Sequence, residues 1–198
     1  LSETDTRNVM WRFATHGVLS NRERMHLNQA MALDWARYHN VPLVKWRLPL
    51  GGIVGRALDP EEAKMLYEEE PGLWGYWVLG APCMLSRNVN PLLGLANGSD
   101  AVYHSLTFEK SGGAYSTSNG ESGRFAGGCT VVPDLGFCEV TLEQPPYSVN
   151  VCPVLNEDQR SRYAPGQSLV SGPNIVVPIL FDHKANREAN KVDLVSLK

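Results

Sequence analysis

Two basic side chains that flank a tryptophan are the residues best suited to contact a nucleic acid. The segment from Val41 to Leu50, VPLVKWRLPL, predicts a short strand that carries Lys45, Trp46 and Arg47. Lysine and arginine contact phosphates, and an aromatic ring lets an unpaired base stack on it. The triplet therefore predicts contact with a single strand of nucleic acid. The alternative for Trp46 is a place in the hydrophobic core.

The cysteines and histidines do not form a recognisable metal-binding motif. The sequence contains four cysteines and five histidines, but no CxxC pair, no HExxH and no zinc-like spacing, so we predict no metal site. Cys129 follows two glycines and could in principle join His104 or His183 in a Cys/His hydrolase, but the spacing gives this little support. We expect the cysteines to be free thiols of an intracellular protein, with two disulfides in a secreted protein as the alternative.

Composition and charge limit the class of protein. The chain has 198 residues, of which 43% are hydrophobic and 20% charged, so it can bury a core and form one domain or slightly more. A net charge of −3 argues against a broadly basic clamp on nucleic acid, but it allows a few local phosphate contacts. The longest apolar stretch, near residues 73–82, is too short to span a bilayer, so we predict no membrane partner.

Two capped helices should position the predicted strand. Ser20 and Glu23 have the capping-box spacing, and the helix that follows them should end near Asn40. Asp59 followed by Pro60 indicates the start of a second helix.

The region from Gly75 to Phe108 predicts a strand, a turn and a second strand. Asn97 and Gly98 predict a type I′ turn, because both residue types adopt positive φ easily.

The remainder of the chain predicts short strands joined by loops. Residues 111–128 are rich in glycine and serine and predict a flexible loop. Further strands are predicted near residues 129–132, 137–142, 149–152, 175–180 and 192–197, and one or two helical turns near residues 156–162. Several short strands with glycine and proline turns indicate a small barrel or sandwich.

One segment of this region has a specific order of residues. The sequence GAPCMLSRNVNPLLGLANGS resembles a segment of the PIF-type (petite integration frequency) DNA helicases of superfamily 1B, which reads roughly G-A-P-V-M-L-x-R-N-x-(x)-P-x-x-G-L-x-N-G-T. The matching positions are Gly80, Ala81, Pro82, Met84, Leu85, Arg87, Asn88, Pro91, Gly94, Leu95, Asn97 and Gly98. About twenty residues carry the strong resemblance, and a weaker one runs from about Val18 to Leu180.

This resemblance implies an α/β fold in three parts. Residues 1–70 would form an incomplete RecA-like βα piece, in which a short strand at residues 17–19 precedes the first helix. Residues 71–182 would form a mostly β, SH3-like barrel insert, and residues 183–198 a tail that leads back to the motor domain.

The function that the resemblance implies is that of a fragment of an ATP-dependent DNA helicase that moves 5′ to 3′ in repair or recombination. Its partners would be single-stranded or forked DNA and the upstream motor domain of the same polypeptide, in the nucleus or mitochondrion of a eukaryote. Arg22 or Arg24, in a region similar to motif IV, would be an arginine finger that reaches the γ-phosphate. Arg87 and Asn88, near the motor junction, would add to the contacts with DNA.

The chain departs from the family in lacking the parts that hold a nucleotide. It has no Walker A lysine and no Walker B acid pair, and the glycine-rich segment Gly51 to Arg56 lacks the Lys-Ser/Thr ending of a phosphate loop. ATP and Mg²⁺ would therefore belong to the complete parent protein, and we expect this chain alone to bind neither and to show no ATPase activity.

The alternative function is that of a non-catalytic, SH3-like module that binds a peptide or a nucleic acid. In that case Trp74, Tyr76, Trp77 and Tyr103 would be its exposed aromatic residues, unless these rings pack in the core.

Overall fold

The computed structural model describes residues 19–50, 58–163, 169–171, 174–180 and 195–197, and within them the fold is mixed α/β with mostly strands and a partial barrel. The helices are α1 (Asn21–His39), α2 (Pro60–Glu69) and α3 (Glu157–Ser161), with short 3₁₀ turns at Pro71–Leu73 and Pro91–Leu93. The strands are β1 (Leu43–Arg47), β2 (Trp74–Val78), β3 (Pro82–Leu85), β4 (Asp100–Phe108), β5 (Gly113–Thr117), β6 (Ser122–Phe125), β7 (Gly128–Thr130), β8 (Glu139–Leu142), β9 (Ser148–Pro153), β10 (Leu169–Ser171), β11 (Asn174–Leu180) and β12 (Val195–Leu197).

Helix α1 confirms the predicted capping box. Ser20 Oγ accepts a hydrogen bond from the Glu23 backbone N–H, and the Glu23 carboxylate accepts one from the Ser20 N–H at 3.0 Å. The helix ends at Asn40, whose left-handed φ of 52° turns the chain toward β1. Helix α2 starts in the same way, since Asp59 accepts from the N–H groups of Glu61 and Glu62.

A five-stranded sheet holds the strands nearest to the predicted site, in the order β2-β1-β8-β5-β6. Strand β1 pairs antiparallel with β2 and parallel with β8. One face of this sheet is in the core, where the buried side chains are Val44, Trp46, Trp77, Val140, Leu142 and Phe125. The predicted boundary near residue 70 therefore falls between two strands that share a sheet.

The second sheet has the order β10-β11-β9-β4-β3-β12, and β7 also pairs with β4. Strands β2 and β3 follow each other in the chain but lie in different sheets, so the residues between them carry the chain from one sheet to the other. The predicted strands near residues 129–132, 137–142, 149–152 and 175–180 correspond to β7, β8, β9 and β11.

The prediction of a flexible loop at residues 111–128 is wrong, because this segment contains the hairpin of β5 and β6. Aromatic packing explains the difference. The Phe125 ring stacks on Phe108 with 4.9 Å between ring centroids, and on Tyr115 with 4.5 Å. A Cβ at Gly113 would lie 2.4 Å from the Phe108 ring, so glycine makes room for that ring here.

The turn at Asn97 and Gly98 is present, but its predicted type is wrong. The Ser99 N–H donates to the Ala96 carbonyl at 3.0 Å, which closes a four-residue turn. Gly98 has a φ of 87°, whereas Asn97 is not among the residues with positive φ. A type I′ turn needs positive φ at both central residues, and a type II turn needs it only at the second, so the pattern is that of type II.

Two of the expected elements fall outside the described residues. These are the strand at residues 17–19, of which only Leu19 is described, and most of the tail at residues 183–198, of which only β12 is described. Within the described strands, β1 and β8 form the one parallel pair. No helix in the described part of the chain is long and apolar enough to cross a membrane.

Candidate nucleic-acid interface

Successive side chains of β1 point to opposite faces of the sheet, so Trp46 lies on one face and Lys45 and Arg47 lie on the other. Trp46 is 2% exposed and packs in the core, so a base cannot stack on it. Lys45 and Arg47 lie on the opposite face, where Lys45 is half-buried and Arg47 is exposed. Of the three residues, the two cations are accessible to a ligand.

Strand β2 places two aromatic residues on the same face as these cations. The strand pairing puts Trp74 directly opposite Arg47, and Tyr76 directly opposite Lys45. Directly opposite residues share a face and contact each other. Gly75 stands opposite Trp46 on the core face, where the Trp46 ring occupies the space that a Cβ would fill.

Helix α2 adds a third ring. The Arg47 guanidinium lies 5.0 Å from the centroid of the Tyr67 ring and 5.8 Å from that of the Trp74 ring. Trp74 Nε1 donates to the Tyr67 carbonyl at 2.7 Å, and the Tyr67 hydroxyl donates to the Leu48 carbonyl. We call Lys45, Arg47, Tyr67, Trp74 and Tyr76 the Arg47 patch.

The charges within the Arg47 patch are not equally free. Lys45 Nζ pairs with the Glu139 carboxylate of β8 and lies 5.4 Å from the centroid of the Trp74 ring. Arg47 has no carboxylate partner among the described residues. Arg47 is therefore the cation of the patch that can most readily take a phosphate.

Two tyrosines of the patch are held in their neutral form. Burial raises the pKa of Tyr76, and the negative charge of Glu139 raises it further. Burial also raises the pKa of Tyr67, although the positive charge of Arg47 acts in the opposite direction. A phenol of ordinary pKa is already neutral at pH 7, and these increases keep both phenols uncharged to higher pH, so neither repels a phosphate.

The open part of the sheet face is limited in extent. Leu43 and its cross-strand partner Val78 lie on the same face as Lys45, but both are buried. The accessible region is therefore the end of the two strands that carries Arg47 and Trp74. This end of the two strands is suited to one or two stacked bases rather than to a long segment of nucleic acid.

Arg87 and Asn88 follow β3, which belongs to the other sheet. Both are exposed, and Asn88 Oδ1 accepts a hydrogen bond from the Asn97 N–H at 2.9 Å. Asn88 therefore links the start of its loop to the turn at Asn97 and Gly98. A contact of Arg87 with DNA stays a prediction.

The two candidate arginine fingers lie in the first turns of α1. Arg22 pairs with Glu70 at 3.5 Å, and its side chain is 73% exposed. Arg24 is half-buried, and its Nε has no hydrogen-bond partner in the described structure. An exposed ion pair of this kind contributes little stability, so Arg22 could leave Glu70 at small cost.

Other predicted features have mixed outcomes. Trp77 is fully buried and Tyr103 is 3% exposed, so neither can be an exposed aromatic residue of a binding module. In the structure all four cysteines are free thiols rather than paired in disulfides. In the described residues, no group of three or more histidine, cysteine or acidic side chains is placed to hold a metal ion.

Tyr67 was not predicted as a site residue, and Trp74 was predicted only for the alternative binding module. The signal for Trp74 was available, since the alternation in Trp74-Gly75-Tyr76-Trp77 puts Trp74 and Tyr76 on one face and Trp77 on the other. No local signal places Tyr67 beside Arg47, because that contact depends on how α2 packs.

Comparison of the chain with protein-family models, curated proteins and solved structures gave no significant match. The resemblance to PIF-type helicases therefore rests on the sequence segment itself.

Proposed function

We propose that this chain binds single-stranded DNA through the Arg47 patch, as part of a PIF-type, ATP-dependent DNA helicase that moves 5′ to 3′. The RecA-like and SH3-like assignments of its two regions belong to this proposal. The resemblance of residues 80–98 supports the family, and the Arg47 patch supports contact with a single strand.

One observation carries the DNA-binding part of the proposal. Arg47 is exposed, has no carboxylate partner in the described residues, and lies beside the half-buried ring of Trp74 and the buried ring of Tyr67. A phosphate can bind the guanidinium while the adjacent base stacks on Trp74, which is the combination that single-strand binding proteins use. In duplex DNA the bases stack on each other, so no base face is available to the Trp74 ring.

The same geometry favours an anionic ligand over a peptide. A proline-rich peptide would also pack on aromatic rings, but it would leave Arg47 without a counter-charge. The peptide-binding module therefore remains the second candidate, and it shares the Trp74 and Tyr76 surface.

ATP and Mg²⁺ would be held by the upstream motor domain of the parent protein. The chain lacks a phosphate loop in its sequence, and its described residues offer no cluster of acidic ligands for the metal. Arg22 or Arg24 would act only when that domain brings a nucleotide to the start of α1.

The test is a titration of the full chain into fluorescein-labelled oligothymidine, followed by fluorescence anisotropy at several salt concentrations. Trp74→Ala should weaken binding by about 1–3 kcal/mol, because a stacking platform is lost, whereas Trp74→Phe should keep most of the affinity. Arg47→Ala should reduce the slope of log K against log salt by about 0.7, the value for one phosphate contact.

Two further variants sharpen this experiment. Lys45→Ala should have a smaller effect than Arg47→Ala, because Glu139 already neutralises Lys45. Lys110→Ala, in the exposed turn between β4 and β5, is the charge control and should bind like the unmodified chain. Equal affinities for the unmodified chain, Trp74→Ala and Arg47→Ala would refute the proposed site.

A further inference from the structure

A polar cluster lies beside the exposed thiol of Cys129 in the seven-stranded sheet. Cys129 on β7 stands opposite Thr107 on β4, and Ser105 on β4 stands opposite Asn150 on β9. Together with His104 these residues form what we call the Cys129 cluster. Ser105 and Asn150 are fully buried, whereas Cys129 reaches the surface.

A bulge in β4 brings two adjacent side chains of the cluster into contact. The pairing of β4 with β9 shifts register between Tyr103 and Ser105, which leaves His104 as the extra residue. Adjacent residues of a regular strand point to opposite faces, but here His104 Nδ1 lies 3.0 Å from Ser105 Oγ. The bulge therefore couples the histidine to the interior of the cluster.

The distances allow one continuous chain of hydrogen bonds. Cys129 Sγ lies 3.4 Å from Ser105 Oγ, and Asn150 Nδ2 lies 3.0 Å from Ser105 Oγ and 3.5 Å from Cys129 Sγ. We assign the Cys129 thiol as donor to Ser105 and the Ser105 hydroxyl as donor to His104. Ser105 then uses its one hydrogen and both lone pairs, since Asn150 also donates to it.

This arrangement provides a route for the thiol proton. The S–H bond of Cys129 breaks as its proton passes to Ser105 Oγ, and the former hydroxyl proton of Ser105 passes to His104 Nδ1. The resulting thiolate faces the Ser105 hydroxyl as its donor, because the two hydrogens of the Asn150 amide go to Ser105 Oγ and Thr107 Oγ1, at 3.0 and 2.9 Å. Hydrogen bonds to a charged atom stabilise the charged form.

The other three cysteines have a thiol pKa that is raised by burial. Burial raises the pKa of Cys83, and Asp100 and Cys152 raise it further. Burial also raises the pKa of Cys138 and Cys152, so these three thiols stay protonated and unreactive near neutral pH.

The titratable groups on the strands around the cluster leave His104 as the proton acceptor. These are Asp100 and Tyr103 on β4, Cys83 on β3 and Cys152 on β9. Burial raises the pKa of Tyr103 and of the Cys83 and Cys152 thiols, so these three groups are neutral near pH 7. His104 is the titratable residue of β4 that has a hydrogen bond to Ser105.

A small reactant can approach Cys129 from solvent, because this residue is exposed.

We propose that Cys129 is a reactive thiol that a small peroxide oxidises to a sulfenic acid, with Ser105 and His104 as its proton relay. The thiolate sulfur attacks one peroxide oxygen, so an S–O bond forms and the O–O bond breaks. Sulfur loses two electrons and the peroxide gains them. The leaving hydroxide takes the proton held by His104, so the products are Cys129 sulfenic acid and water.

The test uses the full chain, hydrogen peroxide and dimedone as the sulfenic acid trap, with each cysteine quantified by mass spectrometry. We expect Cys129 to be labelled about tenfold or more faster than Cys152, because a thiolate is the reactive form. Ser105→Ala and His104→Gln should each slow Cys129 oxidation about tenfold near neutral pH, since both break the relay. Ser116→Ala, on the exposed part of β5, is the matched serine control and should not change the rate.

The pH dependence distinguishes a relay from a structural effect. Above the usual pKa of a cysteine, about 8.5, hydroxide removes the thiol proton without help. The rates of Ser105→Ala and His104→Gln should therefore converge with the rate of the unmodified chain at high pH. The proposal would be overturned if both variants oxidised Cys129 at the unmodified rate, or if their slower rates persisted at every pH. It would also be overturned if Cys129 were labelled no faster than Cys152. Circular dichroism of each variant confirms that it is folded, and His104→Gln tests the relay even if Ser105→Ala fails to fold.

Discussion

Two residues of β1 that are two positions apart carry the same charge but differ in what they can bind. Lys45 is already paired with Glu139, whereas Arg47 rests against aromatic rings and has no carboxylate partner in the described residues. A planar guanidinium can stay stacked on a ring while its edge binds a phosphate, which an ammonium group cannot do in the same way. The proposed contact with DNA therefore depends on Arg47 more than on the total charge of the segment.

Gly98 is the residue at which backbone conformation makes a sharp prediction. Its φ of 87° is unfavourable for any side chain, and most of all for a β-branched one. A Cβ at this position would meet no atom within 4 Å, so the penalty comes from the backbone alone. Gly98→Val should lower the stability by about 1–2 kcal/mol or more, as measured by thermal unfolding.

A variant with asparagine provides the control for Gly98. Gly98→Asn should lose less stability than Gly98→Val, because asparagine tolerates positive φ better than valine. Equal melting temperatures for the valine variant and the unmodified chain would show that Gly98 does not have positive φ.

At the scale of secondary structure, the register of β1 against β2 decides which face of the sheet is open. Trp46 packs over Gly75, and this contact places Arg47 opposite Trp74 on the other face. A Cβ at Gly75 would lie 2.3 Å from the buried Trp46 ring, which has no room to move. Gly75→Ala should therefore destabilise the chain by about 1–3 kcal/mol, the usual cost of overpacking, in urea unfolding.

Gly72→Ala is the matched control for this prediction. Its Cβ would also come too close to a neighbour, but that neighbour is the flexible end of the Met25 side chain. Methionine adapts its rotamers readily, so the loss at Gly72 should be smaller than that at Gly75. A Gly75→Ala variant as stable as Gly72→Ala would contradict the packing of Trp46 over Gly75.

Helix caps and strand patterns in the sequence predicted the helices and most of the strands. The hairpin that they did not predict depends on contacts between residues far apart in the chain. The capping box at Ser20 and the pair Asp59-Pro60 identified α1 and α2, because the signals of a helix start lie within a few residues of each other. The hairpin of β5 and β6 could not be predicted from its glycines and serines. Its stability comes from stacking of Phe125 on Phe108 and from pairing with the distant strand β8.

The candidate site was predicted only in part for the same reason. The basic residues were visible in the sequence, and the alternation of β1 could have separated Trp46 from them. The contact of Tyr67 with Arg47 joins residues of different elements, and no periodicity or spacing encodes it.

At the scale of the whole molecule, buried tyrosines and thiols predict how stability depends on pH. Burial raises the pKa of Cys83, Cys138, Cys152, Tyr67, Tyr76, Tyr103 and Tyr163 in the folded chain. The unfolded chain releases these protons at the ordinary values, about 8.5 for cysteine and 10 for tyrosine. Above these values the unfolded state binds fewer protons than the folded state, so stability falls as pH rises.

The measurement is urea unfolding in a reducing buffer. The free energy of unfolding should be nearly constant between pH 6 and about 8, and should then decrease by up to about 1.4 kcal/mol per pH unit for each group that titrates. Stability that stays constant or increases from about pH 8 to 10.5 would show that these groups are accessible to solvent in the folded chain.

The overall charge sets the strength that the proposed DNA contact can have. With a net charge of −3, the chain gains no general attraction to phosphate, so its affinity must come from the Arg47 patch and should decrease as salt increases. Tight binding that persists at high salt would require a surface other than the Arg47 patch.

Whether the Arg47 patch binds the strand can be tested by photocrosslinking of the full chain to single-stranded DNA that contains bromodeoxyuridine, with the attached peptide identified by mass spectrometry. We expect a crosslink at Trp74 or Tyr76 that unlabelled oligothymidine abolishes by competition and that Arg47→Ala weakens. Crosslinks confined to another segment, such as the loop with Arg87, or no crosslink at saturating DNA, would contradict the claim that the Arg47 patch binds the strand.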